Sequence, residues 1–362
     1  MIKMQRTLNN RVENKSNFEI LKQYIIPADV LSKMLKIYQL IGRGDVYKDN
    51  LKTKEEALKE KSMEVDVYFL SNYIGLNLSD TRMRLLITKN STPRTKEEKI
   101  LVNLKSVVKL IRDNAKEYTF NGSDLLSYLN IIFGQGTHKF SNQNPSVSVR
   151  NSKNLISNRL VFEKTLEAYH EFMKKETFEN LHLSMVAYLE MSQIKPFNNH
   201  NELSSLLALY YMLLRSNIDC FEYVSFFEIL FKYNDKFVSE QNKAVINYPG
   251  GYLQLSGMMR VIFEIITDGY EELKQIVKEH NFEERAFKSD TIIQTIKKLP
   301  SIFTKDEIRL KHPQASESTI NRVLTKMRDD GLIKPLGTGR SAKWIKVETD
   351  DLLTRFGKEN DL

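Results

Sequence analysis

The stretch Leu203–Leu214, LSSLLALYYMLL, is the longest apolar run in the chain. It is shorter than the ~18–20 residues needed to span a bilayer, and it contains Ser204 and Ser205. Leu203, Leu206, Leu207, Leu209, Tyr210 and Leu213 have the spacing of a helix that is apolar on much of its surface. Such a helix belongs inside a protein, enclosed by other elements. The rest of the sequence supplies helices to enclose it. PADVLSKMLKIYQLIGRG places Val30, Leu31, Met34, Leu35 and Tyr38 on one helical face, with Gly42 and Gly44 as a stop. TKEEALKEKSMEVDVYFLSNYIGL is a second helix with Thr53 and Glu56 spaced as a capping box. TPRTKEEKILVNLKSVVKLIRDNAKEY, GSDLLSYLNIIF, LVFEKTLEAYHEFMKKE and TFENLHLSMVAYLEMSQ follow the same period. Further helices are expected at 219–240 and 252–280. The charged stretch KEHNFEERAFKSD is then expected to be a linker. The chain is mainly α.

One segment breaks the helical pattern. GQGTHKFSNQNPSVSVR, Gly134 to Arg150, combines glycines, an Asn-Gln-Asn-Pro turn and the alternation Ser146, Val147, Ser148, Val149. It reads as a hairpin-like flap within a helical domain, or equally as a plain surface loop.

Bulk properties narrow the setting. A chain of 362 residues suggests two or three domains at about 100–200 residues each. A single cysteine, Cys220, rules out an intramolecular disulfide and fits a reducing, cytosolic compartment. The opening MIKMQRTLNNRVENKSNFEI has no apolar core of a secretory signal. The expectation is a soluble cytoplasmic protein without a membrane partner. The net charge is +8, with twelve basic and six acidic residues between Asp290 and Lys346, a local net of +6. Most of the excess is therefore in the C-terminal region, where phosphates are the natural counter-charge.

That region changes character from Ser289. SDTIIQTIKKLP is a short amphipathic helix, TKDEIRLKHP opens on a Thr304/Glu307 capping box, and SESTINRVLTKMRDDG is a third helix. LIKPLGTGRSAKWIKV then alternates as two strands around a glycine-bearing turn. Three helices and a hairpin resemble the winged helix-turn-helix of prokaryotic regulators. The resemblance implies a third helix in the major groove of duplex DNA. Ser316, Ser318, Thr319, Asn321, Arg322 and Lys326 would face the DNA, with Arg340 and Lys343 on the wing and Ile320, Val323, Leu324 and Met327 buried. Winged helices also serve as protein-binding or dimerisation modules, and a homodimer would suit paired half-sites. Trp344 is expected in the hairpin core.

Ahead of the apolar run lies SQIKPFNNHNELSS. Its Pro-Phe, polar turn and following helix resemble the Fic (Fic/Doc) family, whose signature is His-Pro-Phe-x-(Asp/Glu)-Gly-Asn-Gly-Arg-x-x-Arg. The match passes through Pro196, Phe197 and Asn201. The flap and the N-terminal helices also look like those of the family class with an inhibitory helix. The resemblance implies an N-terminal helical region over 1–115, a Fic-like core over 116–280, the winged helix over 281–350 and a tail over 351–362. It also implies AMP transfer from ATP, with magnesium, to a protein hydroxyl. The family's motif histidine, which takes the hydroxyl proton, corresponds here to Lys195. At a pKa of ~10.4, only about one lysine in a few thousand is neutral at pH 7. The metal-holding acid corresponds to Asn199, the two glycines to His200 and Glu202, and the two arginines to Leu203 and Leu206. The base, the metal ligand, the amide nest and the charge clamp are replaced together. Glu64, in EKSMEV, is the candidate for the inhibitory glutamate, although Leu206 offers it no partner.

Three function classes follow. The leading one is a catalytically degenerate Fic-fold protein that acts as a DNA-binding or regulatory adaptor, with no cofactor. The second is a nucleotidyl transferase using ATP and Mg through Lys195, His200 and Glu202. The third is a scaffold that binds a protein segment along the flap, through His138, Phe140, Val147 and Val149.

Overall fold

The apolar run is helical from Asn201 to Arg215, and every residue from Leu203 to Leu214 is buried. The computed structural model describes residues 17–141, 158–248, 252–313, 315–337 and 342–347. The chain divides into two compact units, Met1–Gln275 and Ile276–Leu362.

After a 3-10 helix at Asn17–Lys22, the first unit contains α1 (Ala28–Ile41), α2 (Gly44–Leu51), α3 (Glu55–Tyr73), α4 (Asp80–Lys89), α5 (Lys96–Asn114) and α6 (Gly122–Phe133). Next come α7 (Asn158–Lys174), α8 (Asn180–Ile194), α9 (Asn201–Arg215), α10 (Cys220–Tyr223), α11 (Phe226–Lys232), α12 (Asn234–Val245) and α13 (Leu255–Lys298). α8 and α9 form the centre. α8 is buried at every position from Leu181 to Met191, and it packs against α7, α9 and α12, while α9 also meets α5 and α6. Neither helix has a wide polar face, because neither has a solvent side.

Side-chain caps fix where several helices begin. Ser79 accepts from the Arg82 amide, Thr95 from Glu98, and Asn121 forms a reciprocal capping box with Asp124. A buried polar cluster joins α3 to the elements beside α9. Asp66, fully buried, accepts from Ser225 Oγ (2.6 Å), the Phe227 amide (3.0 Å) and Tyr210 Oη (3.1 Å). Desolvation pushes its pKa up to about 6, opposed by the Arg112 charge and these hydrogen bonds. Arg112 itself donates to Lys59 O, Ser62 Oγ and Phe221 O.

Several sequence expectations need correction. α1 buries Val30, Ile37 and Leu40, whereas Leu31, Leu35 and Tyr38 are exposed. The helix has two apolar stripes, and spacing alone does not choose between them. α3 starts at Glu55 with Lys54 at its N-cap position and no side-chain cap. Thr53 instead lies in the turn closed by Lys54 N donating to Leu51 O at 2.8 Å. The expected linker KEHNFEERAFKSD lies wholly within α13. It has no proline or glycine and is rich in good helix formers, so charge alone did not end the helix. The segment 219–240 is broken into α10, α11 and part of α12.

The second unit contains the C-terminal half of α13, from Ile276, then β1 (Ile302–Thr304), α14 (Lys305–Lys311), α15 (Glu317–Asp329), β2 (Ile333–Pro335) and β3 (Lys343–Lys346). The strands form an antiparallel sheet in the order β1–β3–β2, with Phe303 opposite Trp344 and Lys334 opposite Ile345. The third strand, β1, was not legible in the sequence. Thr304 and Glu307 make the reciprocal capping box at the start of α14. Ile320, Val323, Leu324 and Met327 of α15 share a core with Phe303 and Trp344. Among the described residues, no helix is long and apolar enough to cross a membrane.

Candidate active-site loop

The loop between α8 and α9 is held by its own side chains. Lys195 and His200 both adopt left-handed backbone, with φ of 48° and 56°. These two residues turn the chain sharply at either end of the loop, in a region that non-glycine residues enter at a cost. Just after the second turn, Asn201 at the start of α9 acts as a clamp: its Oδ1 accepts from the Phe197 amide at 2.9 Å and its Nδ2 donates to the Phe197 carbonyl at 2.8 Å. Phe197 is only 2% exposed and packs against Phe140 and Phe162.

The flap residues Thr137 to Ser141 pair with this loop. Phe140 bridges to Phe197 in antiparallel fashion. Ser141 N donates to Pro196 O at 2.7 Å and Asn198 N to Lys139 O at 3.2 Å. Asn198 adds two more links, accepting from Lys139 N at 3.0 Å and donating to Thr137 O at 3.2 Å. His138 Nε2 lies 2.8 Å from His200 Nδ1, and the His200 ring stacks on Phe133 at 3.9 Å between centroids. Burial lowers the pKa of both histidines, with His200 adding to the effect on His138. Val147 and Val149, the other expected flap residues, lie outside the described residues.

The electrostatics of the loop are unlike those of a phosphate seat. Asn199 and Lys195 are exposed, and Lys195 makes no hydrogen bond or ion pair among the described residues. Glu202 lies in the first turn of α9, where the helix dipole favours a negative charge. It accepts from Tyr73 Oη of α3 at 3.2 Å. Burial and the Glu202 carboxylate push Tyr73 up to about 12. Leu203 and Leu206 are buried, at 1% and 6% exposure. An anion approaching the α9 N-terminus would therefore meet a carboxylate beside the free amides, with no cation supplied by α9's first two turns. Glu64 on α3 lies 3.8 Å from Lys105 of α5, and burial raises its pKa. A separate cavity bordered by Tyr24, Glu240, Lys243, Ser256 and Arg260 contains no loop residue. Its cations are paired, Lys243 with Glu240 at 2.6 Å and Arg260 with Asp29 at 2.6 Å.

Sequence reasoning found the loop but missed its partners. Asn198 carries no motif meaning, and Tyr73 and Phe133 are distant in sequence. Only the polar, turn-like character of Asn198 and Asn201 could have hinted at their backbone bonds.

In the second unit, Ser316 caps α15 by accepting from Thr319 N at 3.2 Å. Its hydroxyl also lies 2.8 Å from Ser318 Oγ and 2.9 Å from Thr319 Oγ1. Ser318, Arg322 and Lys326 are exposed at successive helical turns, and Arg322 donates to Ser289 Oγ at 3.0 Å. Asn321 departs from the expected face: its Oδ1 is buried without a partner among the described residues. Lys343 on β3 is exposed, and Arg340 lies outside the described residues. Trp344 is 9% exposed and sits in the core.

With this geometry in hand, comparison with solved structures identifies the architecture. The chain is similar to a Fic family protein from Desulfovibrio desulfuricans G20 at 12% identity, covering 90% of this chain and 98% of that one, with a TM-score of 0.51. It is also similar to a Fic domain containing signaling protein from Bacteroides thetaiotaomicron VPI-5482 at 15% identity, covering 68% of this chain and 97% of that one, with a TM-score of 0.51. No protein-family model matches the sequence, and no curated protein is significantly similar to it.

Proposed function

This chain has the Fic fold, and from that premise we propose that it is a catalytically degenerate Fic-fold protein acting as a DNA-binding or regulatory adaptor. The observation that carries the first half is the occupancy of α9's opening turns. Glu202 is tied to Tyr73, and Leu203 and Leu206 are turned into the core. Phosphate oxygens need donors and positive charge, and these positions supply neither. The loop keeps its shape for a different reason: Asn201 satisfies the Phe197 backbone and Asn198 ties the loop to the flap backbone.

The second half rests on the C-terminal unit as a winged helix-turn-helix. The exposed row Ser318, Arg322 and Lys326 on α15 and the local net charge of +6 support contact with duplex DNA. Fluorescence anisotropy with mixed-sequence duplexes tests it. Binding should weaken steeply with salt, at a slope of about −0.9 per neutralised phosphate. Arg322→Ala or Lys326→Ala should each lower that slope by about 1. Absence of salt-sensitive binding, or no change in either variant, contradicts the DNA reading.

One observation favours a second reading, Fic-type AMP transfer with non-standard residues. His200 is a partly exposed imidazole positioned by His138. Incubation with labelled ATP and Mg decides between the readings: label transfer abolished by Lys195→Ala or His200→Ala makes the protein an enzyme.

A further inference from the structure

The flap and the loop meet through a chain of hydrogen bonds whose proton positions follow from its far end. Thr137 Oγ1 has one hydrogen and donates it to the Gly134 carbonyl at 2.7 Å. Facing His138 Nδ1 at 2.9 Å, it therefore acts as the acceptor, so Nδ1 of His138 carries a hydrogen. Neutral His138 then has a bare Nε2. Its 2.8 Å contact with His200 Nδ1 requires His200 to donate, which leaves His200 Nε2 as the open lone pair of the pair.

We propose that His138 and His200 form a two-proton latch that fastens the flap to the loop at neutral pH and releases it in acid. The first added proton goes to His200 Nε2 and leaves the bond intact, since Nδ1–H still donates to His138. The second proton goes to His138 Nε2. It removes the only acceptor of that bond and sets two imidazolium rings against each other across 2.8 Å.

Among the described residues, the surroundings do not relieve that repulsion. The charged residues nearby in sequence are Lys139 on the flap, Lys195 before the loop and Glu202 after it. Glu202 is held by Tyr73, and Arg159 of α7 lies over Phe140 and pairs with Glu163 at 2.9 Å. None of these hydrogen-bonds or ion-pairs with either histidine, and no α6 residue that touches them is charged: Asn130 holds the His138 backbone and Phe133 stacks on His200.

Burial holds both imidazoles below the ordinary histidine value. A lowered pKa in the folded state means the latch is complete above about pH 6.5 and loosens as pH falls below it. The two steps belong to the pair rather than to one ring. What release frees is the Lys139–Ser141 backbone, now paired with Pro196 and Asn198.

Hydrogen exchange of the full chain tests this, with rates corrected for intrinsic pH dependence. The Ser141 and Asn198 amides should exchange at least tenfold faster at pH 4.5 than at pH 7.5. In His200→Asn, which suits the left-handed backbone, that acid response should vanish. Nitrogen-detected NMR of the wild type at pH 8 should show the Nδ1–H tautomer for both histidines. Equal protection at both pH values, an unchanged acid response in His200→Asn, or an Nε2–H tautomer at His200 each overturns the proposal.

Discussion

Replacing Asn201 by alanine probes whether the loop is maintained for packing. Its side chain makes two hydrogen bonds to the backbone of Phe197, at 2.9 and 2.8 Å. Each such bond contributes about 1 kcal/mol net, and a buried backbone group left without a partner costs about 1–3 kcal/mol. Phe197 is 2% exposed, so water reaches the freed groups poorly. Asn201→Ala should therefore destabilise the protein by about 2–4 kcal/mol, a fall in melting temperature of roughly 3–7 °C. Asn199→Ala, two residues earlier and exposed, should fall within about 0.5 kcal/mol of wild type. Asn201→Asp keeps the acceptor for the Phe197 amide but loses the donor to its carbonyl, and should lie between the two. Calorimetry and denaturant titration read all three. If Asn201→Ala is no more destabilising than Asn199→Ala, the clamp is not what preserves the loop.

Three further outcomes follow from the fold. Asp66 has its pKa raised to about 6, so the stability it supplies is complete below the unfolded value near 3.9 and is lost as pH rises through about 6. The stability of Asp66→Asn relative to wild type should improve by roughly 2 kcal/mol between pH 4 and pH 7 in urea titrations, and a pH-independent difference contradicts the assignment. Glu98 is lowered to about 2 by Arg82 and the Arg94 amide, so its contribution is present above about pH 4.3 and lost as pH falls through about 2. Arg82→Ala should flatten that acid limb of the stability curve. Gly269→Ala would set its Cβ 2.8 Å from Phe221 Cε1 and 3.1 Å from Cys220 Sγ, and this overpacking should cost about 1–3 kcal/mol in the same titration.

The helices were legible in the sequence because each segment repeats its apolar residues at helical spacing, and α5 and α15 bury the faces that spacing assigns. Where two faces are apolar, as in α1, spacing does not settle which one meets the core. Length and charge also mislead: α13 runs through a stretch dense in charged residues, and β1 is three residues long. The loop was legible through Pro196, Phe197 and Asn201. Its electrostatic partners were not, because Tyr73 reaches Glu202 across 129 residues and His138 reaches His200 across 62. Contacts of that separation leave no local pattern.

Titration of Mg-ATP into the full chain by isothermal calorimetry bears most directly on the proposal that the loop does not seat a triphosphate. The account predicts no saturable heat at millimolar nucleotide, because the first turns of α9 present the Glu202 carboxylate and two buried leucines in place of donors and positive charge. Saturable, magnesium-dependent binding at micromolar concentration, lost in Lys195→Ala or His200→Ala, would contradict it.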